Sequence, residues 1–167
     1  LQPHLPPKKD FISELIFIQK GLEIDIDLLS SKLSRIGYER ESTTEQEGQW
    51  SRRGDIVDIY PVNNEFPVRV ELYGDQIDKI REFDPLSQRS LDDINSISIT
   101  PVSLNSIVAN KLLELKVNEL EKYFSSNIIE NLKENSNLKA LKRFLGFIWE
   151  QPASIIDYID EHTLVIL

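Results

Sequence analysis

The sequence predicts an α+β fold: a small antiparallel-sheet domain with one packed helix, followed by a mostly helical segment that ends in a strand. Apolar and polar residues alternate strictly over Val68–Tyr73, which is the period of a half-buried strand. After Pro101, apolar residues recur at the spacing of one helix face. We therefore place the boundary between the two parts at residues 101–105.

The part before this boundary opens with a connector, a strand and a helix. Residues 1–9 carry three prolines, which predicts an extended connector, and residues 15–18 form a short apolar strand. Residues 25–36 then follow the helical period, with an aspartate at the start and Gly37 as the C-terminal cap. The apolar stripe predicted for this helix consists of Leu28, Leu29, Leu33 and Ile36.

A sheet is predicted after the helix. Its strands are residues 38–43, 49–60, 68–73, 77–83 and 94–100. Turn residues at 63–64 predict that the second and third strands pair antiparallel, and those at 74–75 predict a tight turn after the third. On the fourth strand, alternation places Ile77, Lys79 and Arg81 on one face.

The part after the boundary is predicted to be mostly helical. Residues 106–133, 138–149 and 152–159 have helical character, and residues 163–167 form an apolar strand. A strand of this kind needs neighbours along its edges. We therefore expect the chain to be a piece of a longer protein, and the absence of methionine throughout the sequence favours the same interpretation.

The composition is ordinary for a globular protein and excludes several kinds of site. The net charge of -9 repels nucleic acid overall, so no broad DNA-binding surface is expected. The absence of cysteine excludes disulfides and thiolate metal sites. His4 and His162 have no neighbour at metal-ligand spacing, so we expect neither to be catalytic or metal-binding. No membrane span or signal peptide is predicted, and a cytoplasmic location is expected.

Catalytic motifs are absent from the sequence. The glycines do not form a phosphate-binding loop, and the patterns GxSxG, HExxH and GxGxxG do not occur. Acidic pairs such as Asp92-Asp93 are typical of solvated surface in an acidic chain. We therefore expect no catalytic residue, no cofactor and no metal in this fragment. A nuclease or ATPase fragment is the alternative, and it has no positive support in the sequence.

The clearest predicted strand presents charged and aromatic side chains on one face. Alternation places Arg69, Glu71 and Tyr73 opposite the apolar residues of the same strand, with about 13 Å between the first and the last at ~3.3 Å per residue. An exposed face that offers arginine, carboxylate and aromatic groups is typical of protein-binding hot spots. The alternative is that the arginines are solvated and paired with neighbouring carboxylates, and composition alone favours it.

The preceding predicted strand carries two further arginines. If it is continuous, Arg53 and Asp55 share one of its faces, and Arg52 and Asp58 share the other. Cross-strand ion pairs of the arginines with Asp55 and Glu71 are then the expected surface pattern.

Three stretches of the sequence resemble one protein family. The stretches SRRGDIVDIYP (51–61), PVRVELYGD (67–75) and IREFDP (80–85) are similar to the UvrA-binding domain shared by two bacterial repair proteins, the excinuclease subunit UvrB and the transcription-repair coupling factor Mfd. The segment SQRSL (87–91) resembles the coupling factor, since UvrB usually has a threonine-glycine turn there. Leu5-Pro6-Pro7 also resembles the coupling factor's N-terminal module.

This resemblance implies a function and a domain division. The module would recruit the damage-recognition protein UvrA to stalled RNA polymerase in nucleotide excision repair, and the equivalent domain of UvrB is the alternative. Residues 1–15 would be a connector from the preceding domain, 16–102 the UvrA-binding domain, and 103–167 the helical part of a degenerate helicase-like domain. RNA polymerase, DNA, ATP and magnesium would bind elsewhere in the full-length protein.

The resemblance also assigns the residues that bind the partner. The family's UvrA contacts fall on Arg53, Arg69 and Tyr73. The family often has phenylalanine at the last of these positions, and tyrosine keeps the aromatic ring while adding a hydroxyl group. These three residues are therefore the expected UvrA-binding site.

Overall fold

The structure is a computed structural model that describes residues 5–104, 107–108, 111–112, 125, 127 and 148–159. The chain divides into two compact units, Glu14–Ser103 and a second unit that combines Leu1–Ser13 with Leu104–Leu167. The predicted helices 106–133 and 138–149 lie almost wholly outside the described residues. The predicted strand 163–167 lies entirely outside them.

The unit Glu14–Ser103 is mostly sheet, with one packed helix. Its strands are β1 (Ile16–Gln19), β2 (Glu39–Arg40), β3 (Gln49–Arg53), β4 (Ile56–Ile59), β5 (Val68–Tyr73), β6 (Gln76–Phe83), β7 (Ser90–Ile94) and β8 (Ser96–Ile99). Strands β2 to β7 form a six-stranded sheet in sequence order, and β1 pairs with β8. Among the described strands β2 pairs parallel with β3, and the other neighbours are antiparallel.

The helix of this unit, α2, spans Ile26–Arg35 and follows in sequence a short helix, α1 (Lys8–Ser13), of the other unit. The Asp25 carboxylate accepts hydrogen bonds from the first-turn backbone amides at 2.8 and 2.9 Å, which fixes the start of the helix. Gly37 adopts φ 97°, the left-handed conformation of a C-terminal cap. The predicted stripe is wrong for Leu28, which is 52% exposed, because successive residues are about 100° apart and Leu29 faces the sheet instead.

The predicted strand 49–60 is a hairpin of β3 and β4. Gly54 and Asp55 form its two-residue turn, and Gly54 takes φ 61°, which a side chain at this position would disfavour. In this hairpin Arg53 pairs with Ile56, and Ser51 pairs with Asp58. The turn therefore brings Arg53 and Asp58 to the same face, whereas a continuous strand would have placed them on opposite faces.

A register shift in the β5–β6 pair changes the face of one predicted residue. Glu71 pairs with Lys79 and Leu72 pairs with Ile77, so Asp78 is the extra residue of a bulge. Ile77 is 1% exposed and joins the core. The prediction that Ile77 shares a face with Lys79 and Arg81 is therefore wrong.

Two other strands differ from their predicted bounds. The predicted strand 94–100 corresponds to β8, and the strand before it, β7, was not predicted because its sequence is polar and mostly exposed. The predicted strand 38–43 shortens to the two residues of β2.

The core lies between α2 and one face of the large sheet. The apolar residues of β5 alternate with exposed or half-buried ones, which confirms the predicted faces of this strand. The core residues that are fully buried here are Leu29, Leu33, Val57, Ile59, Val68 and Val70. Arg52 lies on the same side of the sheet and forms an ion pair with Asp27 of α2.

The second unit has its own contacts among the described residues. Helix α1 spans Lys8–Ser13, where the sequence predicted that an extended connector continues to residue 9. The ring of Phe11 contacts Tyr158 edge to face at 5.9 Å between centroids. Tyr158 belongs to a 3₁₀ helix, Ile155–Tyr158, within the short helix predicted at 152–159.

Replacing Val70 tests the faces of β5. Val70→Asp would bury a carboxylate without a partner in the core and should cost roughly 3–5 kcal/mol of the ~5–15 kcal/mol that stabilises a typical domain. Tyr73 is 85% exposed, so Tyr73→Ala should melt within a few degrees of the parent. Thermal melts followed by circular dichroism measure both variants. The reverse order of stability would contradict the observed register.

Candidate protein-binding site

The face of the large sheet that points away from α2 carries aligned charges. Directly paired residues of antiparallel strands share a face. Two adjacent rows of such cross-strand neighbours, together with the last residue of β5, carry these charges. We call this set of residues the charged face. The first row is Ser51, Asp58, Arg69, Arg81 and Asp93, the second is Arg53, Ile56, Glu71 and Lys79, and the last residue is Tyr73.

Asp58 and Arg69 form the centre of the charged face. The Asp58 side chain is 2% exposed, and its two carboxylate oxygens accept hydrogen bonds from Arg69 Nε and Nη2 at 2.7 and 2.8 Å. This paired geometry is the strongest form of arginine–carboxylate contact. The hydrogen bonds that Arg69 donates to the carboxylate of Asp58 raise the pKa of Arg69 above its ordinary value, so the guanidinium stays charged.

Arg69 also covers an aromatic ring. Its guanidinium carbon lies 4.7 Å from the ring centroid of Phe83, which is fully buried. A cation over an aromatic face is attracted by the ring, and more so where water is excluded. Arg69 itself keeps only 14% side-chain exposure, so it is half-buried rather than fully exposed as the sequence suggested.

Arg53 meets the same carboxylate from the solvent side. Its Nη2 lies 3.5 Å from Asp58 Oδ2, and its side chain remains 64% exposed. One buried acid therefore orients two arginines, of which Arg53 presents most of its surface outward. The expected pairing with Asp55 is wrong, because the hairpin turn places Asp58 beside Arg53 and Arg69 instead. Glu71 does pair with an arginine across strands, but that arginine is Arg81.

The two neighbouring arginines of the first row, Arg69 and Arg81, form ion pairs with different carboxylates. Arg69 pairs directly with Arg81 in the β5–β6 register, an arrangement that would be repulsive for two unpaired cations. Arg81 instead forms an ion pair with Glu71, while Arg69 binds Asp58. Each cation thus has its own carboxylate.

Sequence reasoning missed Asp58 and Arg81 as members of the site. The Gly54-Asp55 dipeptide is a typical hairpin turn and was the available signal for the place of Asp58. The signal for Arg81 was its spacing of two residues from Lys79, which places both side chains on one face of the strand.

Tyr73 lies at the far end of the charged face. It is the last residue of β5, before a tight turn in which Gly74 takes φ 62°, and it is 85% exposed. About 13 Å of strand separates it from Arg69 at ~3.3 Å per residue. The structure therefore joins Arg53 and Arg69 at Asp58 and places Tyr73 further along the same face.

The chemistry that this face offers is recognition. It presents guanidinium donors that suit carboxylates, together with an exposed aromatic ring. Among the described residues no group of three or more acidic or histidine side chains is placed to hold a metal ion. No helix in the described part of the chain combines the length and apolar character that crossing a membrane requires.

Comparison with known proteins gives a consistent result. A family model described as the UvrB interaction domain matches residues 16–104, a range that contains the whole charged face. A transcription-repair-coupling factor of Bacillus subtilis is 35% identical over 98% of this chain and 15% of its own length. Proteins of the same name in Staphylococcus haemolyticus and Staphylococcus epidermidis are 34% and 33% identical over 99% and 90% of this chain. The chain spans 14–16% of the length of these relatives.

A double-mutant cycle tests the buried ion pair. Asp58→Ala should cost about 3 kcal/mol, because it leaves the half-buried Arg69 without its carboxylate. Combining it with Arg69→Ala should cost less than the sum of the two single changes, with a coupling energy of about 1–3 kcal/mol. Urea denaturation gives the required free energies of unfolding.

Arg53→Ala serves as the control for this cycle. Its more exposed contact should cost no more than about 1 kcal/mol. Additive effects of the Asp58 and Arg69 changes would contradict the pairing described here.

Proposed function

The chain belongs to the UvrB interaction domain family, and we propose on that basis that it is a non-catalytic module that binds the damage-recognition protein UvrA. In this proposal Arg53, Arg69 and Tyr73 of the charged face contact UvrA. The module would thereby recruit UvrA to a stalled RNA polymerase in the bacterial cytoplasm, as a step of transcription-coupled nucleotide excision repair.

The relatives favour a coupling factor over UvrB as the parent protein. Three transcription-repair-coupling factors align with 90–99% of the chain, well beyond the range of the family model. Because the chain spans only a small part of their length, we assign contacts with RNA polymerase and DNA, and the use of ATP and magnesium, to the remainder of the full-length protein.

The observation that carries the proposal is the exposed guanidinium of Arg53 beside a buried carboxylate. Asp58 limits the positions that Arg53 can take, so less side-chain entropy is lost when a partner binds. A guanidinium has five N–H donors, and the single contact at 3.5 Å leaves most of them able to meet carboxylates of UvrA. Tyr73 adds a large exposed ring of the kind enriched at interface hot spots.

Arg69 has two roles in this proposal. Its bonds to Asp58 stabilise the fold, and its exposed remainder faces the partner. A charge reversal at Arg69 would set a second carboxylate beside Asp58 and unsettle the domain. Arg69→Glu should therefore lower stability as well as binding, and Arg53 is the sharper probe of binding.

Charge reversal at Arg53 tests the partner and the face together. Arg53→Glu should leave the melting temperature within a few degrees of the parent, because the residue is largely exposed. The affinity for purified UvrA should fall at least about tenfold, since a favourable contact becomes repulsive. Lys32→Glu makes a similar change of charge on the exposed surface of α2, on the other side of the sheet, and should bind as the parent does. Calorimetric titration with UvrA measures all three proteins.

Substitutions at Tyr73 complete this test. Tyr73→Phe should bind UvrA nearly as well as the parent, because the ring is retained, and Tyr73→Ala should bind more weakly at an unchanged melting temperature. Equal UvrA affinity of the parent, Arg53→Glu and Tyr73→Ala would show that the charged face is not the binding site.

A binding experiment with ATP tests the non-catalytic assignment. The sequence has no phosphate-binding loop, so titration of this fragment with ATP and magnesium should give no saturable heat in the micromolar range. The full-length protein, in which nucleotide would bind elsewhere, is the positive control. Saturable micromolar binding by the fragment would refute the assignment.

A further inference from the structure

The loop of residues 84–89 holds an apolar side chain out in solvent. Leu86 in this loop is 88% exposed, even more than Tyr73 at 85%. An exposed leucine on a disordered loop would need no explanation. This loop, however, is held in one shape by hydrogen bonds, and it lies next to the charged face.

Asp84 folds the loop back on itself. Its carboxylate accepts a hydrogen bond from the backbone N–H of Ser87 at 2.6 Å, and its carbonyl accepts one from the N–H of Gln88 at 2.8 Å. Its own N–H donates to the carbonyl of Arg89 at 2.9 Å. Hydrogen bonds between the two ends of the turn therefore fix the backbone that carries Leu86.

Gln88 ties this turn to the charged face. It has φ 60°, a left-handed conformation that is unfavourable for residues other than glycine. Its side-chain amide donates to the carbonyls of Pro85 at 2.7 Å and Thr44 at 3.2 Å, and its side-chain oxygen lies 3.5 Å from Arg69 Nη2. Strained residues with such contacts are typical of sites where the surroundings enforce a functional geometry.

Thr44 in turn reaches the centre of the site. Its fully buried hydroxyl group lies within hydrogen-bond distance of two acceptors. They are the Ser51 hydroxyl oxygen at 3.0 Å and the Asp58 carbonyl oxygen at 3.3 Å. The loop that presents Leu86 is thus connected, through Gln88, to both the strand of Asp58 and the guanidinium of Arg69.

We propose that residues 84–89 are a second contact element for UvrA, in which Leu86 enters an apolar recess next to the acidic groups that receive Arg53 and Arg69. This inference rests on the proposed function. Strand β6 runs from the turn beside Tyr73 to this loop, and its eight residues span about 23 Å at ~3.3 Å per step. That span suits a protein partner, whose stable interfaces bury about 800 Å² per side and combine an apolar anchor with polar surroundings.

Leu86→Ala tests this element, with Leu28→Ala as its matched control. Leu28 is also exposed, at 52%, but lies on α2 on the other side of the sheet. Both variants should melt as the parent does. Leu86→Ala should bind purified UvrA roughly tenfold more weakly, the loss expected when a leucine side chain is no longer buried at an interface, and Leu28→Ala should bind as the parent does.

Two outcomes separate this inference from the proposed function. If Leu86→Ala binds within twofold of the parent while Arg53→Glu is weakened, the loop is not a contact element and the proposed function stands. If the parent does not bind UvrA, or if Arg53→Glu and Tyr73→Ala both bind as the parent does, the proposed UvrA-binding face and the inference drawn from it both fail.

Gln88→Gly tests whether the side-chain hydrogen bonds of Gln88 contribute to UvrA binding. Glycine accepts φ 60° without strain but removes the amide that reaches Thr44 and Arg69. The melting temperature should stay at or above that of the parent, and UvrA affinity should fall several-fold. Parent-like affinity would refute the role given to Gln88.

Discussion

The buried carboxylate of Asp58 is the constraint on which the charged face depends. A carboxylate that is 2% exposed must be paired, because an isolated buried charge is too costly to maintain. Arg69 supplies both hydrogen bonds, and Arg53 adds a second cation from outside. The β3–β4 turn decides which acid occupies this place. Local turn geometry therefore determines where two arginines lie, and through them the form of the proposed binding face.

The pleat of β5 separates the core from the proposed binding face within six residues. Val68 and Val70 face the core, while Arg69 and Tyr73 face the other way. Arg69 belongs to both functions, since it binds a buried acid and covers the ring of Phe83. If the proposed function is right, substitutions at Arg69 would therefore mix loss of fold with loss of binding, whereas substitutions at Arg53 and Tyr73 would report binding alone. Of the three UvrA contacts that the resemblance assigns, only Arg69 is thus also part of the packed structure.

Sequence patterns could predict regular elements but not interruptions of their period. The caps of α2 and the faces of β5 follow from Asp25, Gly37 and uniform alternation. The face of Ile77 did not, because one bulged residue reverses the parity of everything beyond it. The ion pair of Arg53 with Asp58 could not be predicted for the same reason, since a turn at Gly54 interrupts what the sequence pattern predicts as one continuous strand. The side chains of the proposed site could thus be selected from the sequence. Their ion-pair partners could be identified only from the observed pairing of the strands.

The sign of the charged face differs from that of the chain that carries it. The chain has a net charge of -9, yet the face includes Arg53, Arg69, Lys79 and Arg81 against Asp58, Glu71 and Asp93, and the first of these acids is buried. Charges separated by more than about 10 Å are largely screened, so a docking partner responds mainly to local charge. An acidic surface is then attracted at this face and repelled elsewhere, which favours one docking orientation. In the proposed function, this local inversion of charge gives an acidic module a defined orientation in which to meet an acidic surface of UvrA.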